Sequence, residues 1–346
     1  MNTAEPMHTP RVLEERCEWT SADVADESTW TELLDDAERE ELDAALRTAL
    51  ATSDDVLEIG REDFPLPNLQ ARLLDIEKEL IDGRGFVRIR GIERERYSQL
   101  EMEILYWGIG MHLGFPWPQN KHGHVLGDVT DQGKAANDPT ARGNELGGMA
   151  LPFHCDGSDL VGLMCLANGI AGGLSAVANS VRIHNVLVRE RPDLAAVLYE
   201  PFPYDFRGEQ REGAKGYYEL PVFTEWDDRL FVRCIPPYIL ASQRHPDAPR
   251  LTPLQAEALT AVVQMADDPE NHVTMELLPG DIQFIDNFHV LHGRTAYEDD
   301  RADGKVRHLK RLWLETTVLA SRPPHFMKNV SSHWDDKRSV SRLTTS

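Results

Sequence analysis

The stretch LPFHCDGSDLVGLMCL, Leu151–Leu166, decides the reading of this chain. Its second half, from Leu160 to Leu166, is an apolar run of strand length, reached through a Gly157-Ser158 turn. In an extended segment, residues i and i+2 point to the same side. A strand end therefore presents His154 and Asp156 to one point in space. The His-x-Asp pattern also occurs at His245-Pro-Asp247 and His333-Trp-Asp335. The former lies in a polar, proline-containing loop that leads into a helix, and the latter in a polar tail with no histidine after it. Only the pair at 154 and 156 leads straight into a strand.

A third ligand is expected in LPGDIQFIDNFHVLHGRTAYED, residues 278–299. His292 precedes Gly293-Arg294-Thr295, a tight strand exit, and is favoured over its rival His289, which reads as a packed histidine beside the site. Two histidines and one carboxylate on one face of a metal leave the remaining positions open, the arrangement of non-haem iron(II) oxygenases. The same donors can hold zinc, but no general base stands beside them for zinc hydrolysis.

The rest of the chain predicts the scaffold. Residues 27–50 and 69–82 have helical periodicity, Phe86–Ile92 alternates like a half-buried strand, and residues 97–115 resume a helical pattern that ends at Gly114. From about 116 onward, short apolar runs alternate with Gly, Pro, Asn and Asp: Leu163–Leu166, Leu174–Ala178, Pro221–Thr224, Leu230–Cys234, Val273–Leu278, Asp281–Ile285 and Arg311–Val318. Many short strands with turn signals predict a barrel or jelly roll. Helices over Val181–Glu190, Asp193–Tyr199 and Thr252–Met265 interrupt it. The expected architecture is mostly β with flanking helices around a double-stranded β-helix (jelly-roll, cupin-like) core. Residues 1–20 read as a lead-in, 21–325 as one domain, and 326–346 as a tail.

Composition excludes several functions. With 41% hydrophobic and 27% charged residues the chain reads as globular. It has no apolar run of about 18 residues to span a membrane, and no secretory signal is visible at its start. A net charge of −22 repels nucleic-acid phosphates. Cys17, Cys155, Cys165 and Cys234 show no CxxC spacing and fit reduced thiols in a cytoplasm. Oligomeric state is not readable.

Downstream, RHLKRLWLET places Arg307 and Arg311 four residues apart on one side of a strand. The arginine fork suits a carboxylate. Together with GGLS (Gly172–Ser175), the two histidine segments and this arginine strand make the chain resemble the taurine dioxygenase (TauD/TfdA) family, on the side of clavaminate synthase, over roughly residues 18–325. The resemblance implies iron(II), 2-oxoglutarate and dioxygen. It maps His154, Asp156 and His292 to the iron, Arg307 to the distal carboxylate of 2-oxoglutarate, and Ser175 to a residue that assists there. Arg311 matches a position that contacts an anionic substrate in some members. Cys155 stands where the family often has Thr, with its thiol expected to point away from the metal. Asp286 stands where Asn is expected, and a cavity-facing carboxylate there would alter substrate charge preference.

The implied reaction is hydroxylation of an unactivated C–H, with succinate and carbon dioxide released. Desaturation, epoxidation or cyclisation would use the same cofactors, and a non-catalytic jelly-roll binding protein is the reading from another class. Related halogenases replace the carboxylate with Gly or Ala, so Asp156 argues against halogenation. A small amino-acid-like or natural-product substrate is expected. Candidate contacts are Gln119, Asn120, Arg142 and Arg311, and residues 128–149 are a candidate lid.

Overall fold

In the computed structural model, described over residues 9–14, 18–134, 147–319, 321–324, 326 and 344–345, the run at 160–166 is an inner strand of a large sheet. The principal strands are β1 (Thr31–Leu33), β2 (Phe86–Arg90), β3 (His124–Thr130), β4 (Leu151–His154), β5 (Leu160–Ala167), β6 (Ser175–Asn179), β7 (His272–Met275), β8 (Ile282–Asp286), β9 (Val290–Arg294) and β10 (His308–Glu315). The larger sheet runs β1-β2-β8-β5-β10-β3, continues to Thr344–Thr345, and adds Phe115–Pro116 beside β10. The smaller runs β7-β6-β9-β4. This is the jelly roll expected from the sequence.

Strand parity explains the layers. On β5, Leu160, Met164 and Leu166 join one apolar cluster, while Val161 and Cys165 join another. The first cluster lies between the larger sheet and three helices, α1 (Asp36–Thr52), α2 (Leu69–Asp82) and α3 (Gln99–Leu113). The second holds Phe86, Val129, Val177, Met275, Ile285, Val290, Leu309 and Trp313, and so fills the space between the sheets. A third cluster packs the outer face of the smaller sheet against α4 (Ser180–Glu190), α5 (Pro192–Val197), α6 (Pro236–Ser242) and α7 (Pro253–Asp267). Both faces of β5 are covered, which is why it reads as a continuous apolar run.

Several expected boundaries move. The helix expected over 27–50 starts only at Asp36, because Asp35 and Glu38 form a capping box there. Ahead of it, Glu27–Thr29 is a single 3-10 turn, and Thr31–Leu33 pairs parallel with β2. The helix over 69–82 has the expected ends. The strand expected at 221–224 is the meeting point of two, Tyr217–Pro221 and Phe223–Trp226, in separate two-stranded ribbons. α6 went unread, although Pro at the first helical positions suits a helix start.

Gly162 on β5 lies where α3 packs closely on the larger sheet. A Cβ there would lie 2.5 Å from the Tyr106 hydroxyl and 2.6 Å from Phe284 Cε1. Gly162→Ala is expected to destabilise the fold by about 1–3 kcal/mol through overpacking. In urea unfolding the midpoint should fall with little change in slope; an unchanged midpoint would contradict this close packing.

Candidate active site

His154 is the last residue of β4, and His292 lies on β9 directly opposite it in antiparallel register. Directly opposed residues share a face, and the two imidazole centroids are 4.3 Å apart. Asp156 follows in the turn before β5. His154 Nε2 lies 3.9 Å from Asp156 Oδ1, and His292 Nε2 lies 3.7 Å from Asp156 Oδ2. One ligating atom from each of the three residues falls within 4.8 Å of the others, and no second group of this kind occurs among the described residues.

The donors have the chemistry a divalent cation requires. His154 Nδ1 bonds the Pro152 carbonyl at 2.8 Å, so that nitrogen carries the proton and Nε2 keeps its lone pair. Burial keeps both imidazoles neutral. His154 titrates below its ordinary value, and burial together with neighbouring His154 pushes His292 down to about 3. Burial works against the Asp156 carboxylate, but the Arg311 guanidinium and the hydrogen bond from Trp313 oppose it, and the group stays ionised well below the usual range. Two neutral imidazoles and an ionised carboxylate are the ligand forms that bind metal. His289 is turned elsewhere: its Nδ1 lies 2.9 Å from Asp286 Oδ2.

Around this triad, β10 supplies two donors. Leu309, Arg311 and Trp313 alternate onto the inner face, after a register shift between His308 and Leu309. Arg311 Nη1 lies 3.2 Å from Asp156 Oδ2, and Trp313 Nε1 donates to the same oxygen at 3.0 Å. Trp313 was missed in the sequence, although its spacing of two from Arg311 was a usable signal. Gln119 accepts from Arg311 Nε at 2.8 Å and donates to the Arg311 and Val125 carbonyls, so it holds Arg311 in place. Asn120 accepts from the backbone of His122 and His124 and closes a local turn. Arg142 and residues 135–146 of the candidate lid lie outside the described residues.

Arg307 enters from the start of β10. It is buried, donates to the Gly173 carbonyl at 3.2 Å, and forms no ion pair among the described residues. Burial, then Arg294, lowers its affinity for its proton to about 10, still charged at neutral pH. Arg294 and Arg307 both lie over the Tyr297 ring, at 4.6 and 5.4 Å. Gly173 leaves the room: a Cβ there would fall 2.7 Å from Arg307 Nε. Ser175 is opposite Arg294 in the β6–β9 pairing, and its hydroxyl donates to Gln283 Oε1 at 2.7 Å. A buried cation without a counter-ion is expensive, and an anionic ligand carboxylate relieves that cost.

The two departures noted in the sequence turn away from the His154–Asp156–His292 group. Cys155 packs in the cluster outside the smaller sheet, with its sulfur accepting from Cys234 N at 2.9 Å. Asp286 bonds Phe288 N through Oδ1 and faces His289 through Oδ2, within its own turn. Cys155, Cys165 and Cys234 are free and buried. Burial raises all three thiols, that of Cys165 to about 12. All three are expected to resist iodoacetamide in the native protein at pH 8 and to react once urea unfolds it; peptide mapping that found them alkylated in the native state would contradict their burial.

The model of the family described as taurine catabolism dioxygenase TauD, TfdA family, matches residues 46–313. FR-33289 synthase of Streptomyces rubellomurinus is 32% identical over 306 residues, covering 86% of this chain and 89% of that protein. Enduracididine beta-hydroxylase of Streptomyces hygroscopicus is 27% identical over 254 residues, covering 65% and 70%. Clavaminate synthase 2 of Streptomyces clavuligerus is 41% identical over a shorter 64 residues, 18% of this chain and 19% of that one. Asparagine oxygenase, solved with Fe(II), 3-hydroxyasparagine and succinate, has the same fold with a TM-score of 0.65 at 21% identity, covering 82% of this chain and 93% of that one. The sequence match spans most of the chain, and the iron-type triad sits where the jelly roll brings its strands together: this protein belongs to the TauD, TfdA family of iron(II)- and 2-oxoglutarate-dependent dioxygenases.

Proposed function

We propose that His154, Asp156 and His292 hold iron(II), that Arg307 and Ser175 receive the distal carboxylate of 2-oxoglutarate, and that the enzyme hydroxylates a C–H of a small amino-acid-like or natural-product substrate. The observation that carries this reading is the directly opposed His154–His292 pair with ionised Asp156 between them. The bound iron and 2-oxoglutarate supply dioxygen activation for C–H oxidation, with succinate and carbon dioxide as co-products.

The residues divide the remaining work. The two imidazoles and the one carboxylate would hold the ion and leave coordination positions open for ligands. Arg311 and Trp313 share the load on Asp156 Oδ2 and fix the orientation of that carboxylate. Gln119 acts through Arg311, so its influence on substrate is indirect. Arg311 is the cation best placed to meet an anionic substrate group, because Nε and Nη1 are held while the fork still borders the triad. The hydroxylated amino acid in the name of enduracididine beta-hydroxylase supports an amino-acid-like substrate. Residues 21–325 would act as one domain. We place the enzyme in the cytoplasm with small-molecule partners; no helix among the described residues is long and apolar enough to cross a membrane.

Anaerobic addition of iron(II) and then 2-oxoglutarate is expected to produce a weak visible charge-transfer band. His154→Ala should abolish it. Arg307→Ala should need about 10–100-fold more 2-oxoglutarate, the loss of a charge-assisted contact worth about 1.5–3 kcal/mol. No band in the unaltered protein would sink the assignment. With candidate amino acids under air, succinate should form in step with a product one oxygen atom heavier than the substrate; a product two hydrogens lighter would instead establish desaturation.

A further inference from the structure

Asp156 is the one proposed ligand outside a regular strand, because β4 ends at His154. A ligand on a turn is free to wander unless its main chain is held. Here it is held by a residue far away in sequence but adjacent in the sheet. The Asp156 N–H donates to Asn287 Oδ1 at 2.6 Å, and Asn287 Nδ2 donates back to the Asp156 carbonyl at 3.0 Å. The same Nδ2 reaches the Ser158 carbonyl at 2.8 Å, and Asn287 N donates to the Asp159 carbonyl at 2.9 Å. Asn287 has no exposed surface. A second donor, buried Arg233, meets the Asp156 carbonyl through Nη1.

Asn287 lies in the short turn between β8 and β9, and β9 carries His292. One side chain therefore ties the turn that bears the carboxylate to the strand that bears the second histidine. Only a primary amide can do this in place: it offers one acceptor and two donors, and all three are engaged. An Asp of the same shape keeps the acceptor and loses both donors.

We propose that Asn287 is a positioning residue for the metal, an amide clamp that sets the Asp156 carboxylate against His292. This rests on the ligand assignment above. Co(II) serves as the probe, with its dissociation constant measured by calorimetry and the melting temperature of the metal-free protein measured alongside. Asn287→Asp and Asn287→Ala are expected to weaken Co(II) binding by about 10–100-fold. Asn185→Ala is the control: Asn185 is equally buried but on α4, where it bonds Leu13 and Glu18, and its loss should lower the melting temperature while leaving Co(II) binding within about twofold. Unchanged binding in both Asn287 variants would overturn the clamp. So would failure of both to fold while Asn185→Ala folds, since Asn287 would then serve the fold and not the metal. A parent protein that binds no Co(II), or a His154→Ala protein that binds it as well as the parent, would fail the ligand assignment itself.

Discussion

The antiparallel pairing of β4 with β9 is the constraint on which the rest of the molecule depends. It places His154 opposite His292, two residues far apart in sequence. A slip of one residue would turn one imidazole outward. Such a slip is opposed on both sides of the smaller sheet. Leu291 and Phe153 would leave the cluster packed against α4 and α7, and Val290 would leave the inter-sheet layer. The helices that interrupt the second half of the chain thus help fix register for the proposed ligands, although none of them contributes one.

Charge is arranged with similar economy. Arg294 and Arg307 stand over the Tyr297 ring, while Arg311 meets the Asp156 carboxylate. Arg311 is satisfied by Asp156 and Gln119, whereas Arg307 has only a carbonyl and an aromatic face among its described contacts. Arg311 thus meets a carboxylate already present in the chain, whereas the more deeply buried Arg307 is the guanidinium proposed to meet an incoming anion. Burial lowers the proton affinity of Arg307 but leaves it charged near neutrality, so its attraction for a carboxylate persists across the physiological range.

The proposed ligands were legible because their chemistry is local. His154 and Asp156 stand at the i, i+2 spacing of a strand end, and the histidine choice at 292 followed from the strand exit at Gly293. The jelly roll was legible from the recurrence of short apolar runs, and α2 from its period and its stop at Gly83. What could not be read is whatever depends on register between distant strands. Gln119 looked like a substrate contact, yet it occupies space left by Gly127, which is paired with Arg311 across β3 and β10, and it holds that arginine. Asn287 gave no signal, because its partners lie on a turn far away in sequence. The start of α1 was misjudged for a local reason: periodicity continued past the capping box that fixes the true end.

Strand order also sets when this site can exist. β5 and β8 are neighbours in the larger sheet, β10 lies on the other side of β5, and the triad needs β9 as well. Contacts of such long sequence separation form late. His154 and Asp156 are made long before His292, so the three-residue set is complete only once β9 exists to pair with β4. The three-residue set therefore comes into being together with the sheet that shields it.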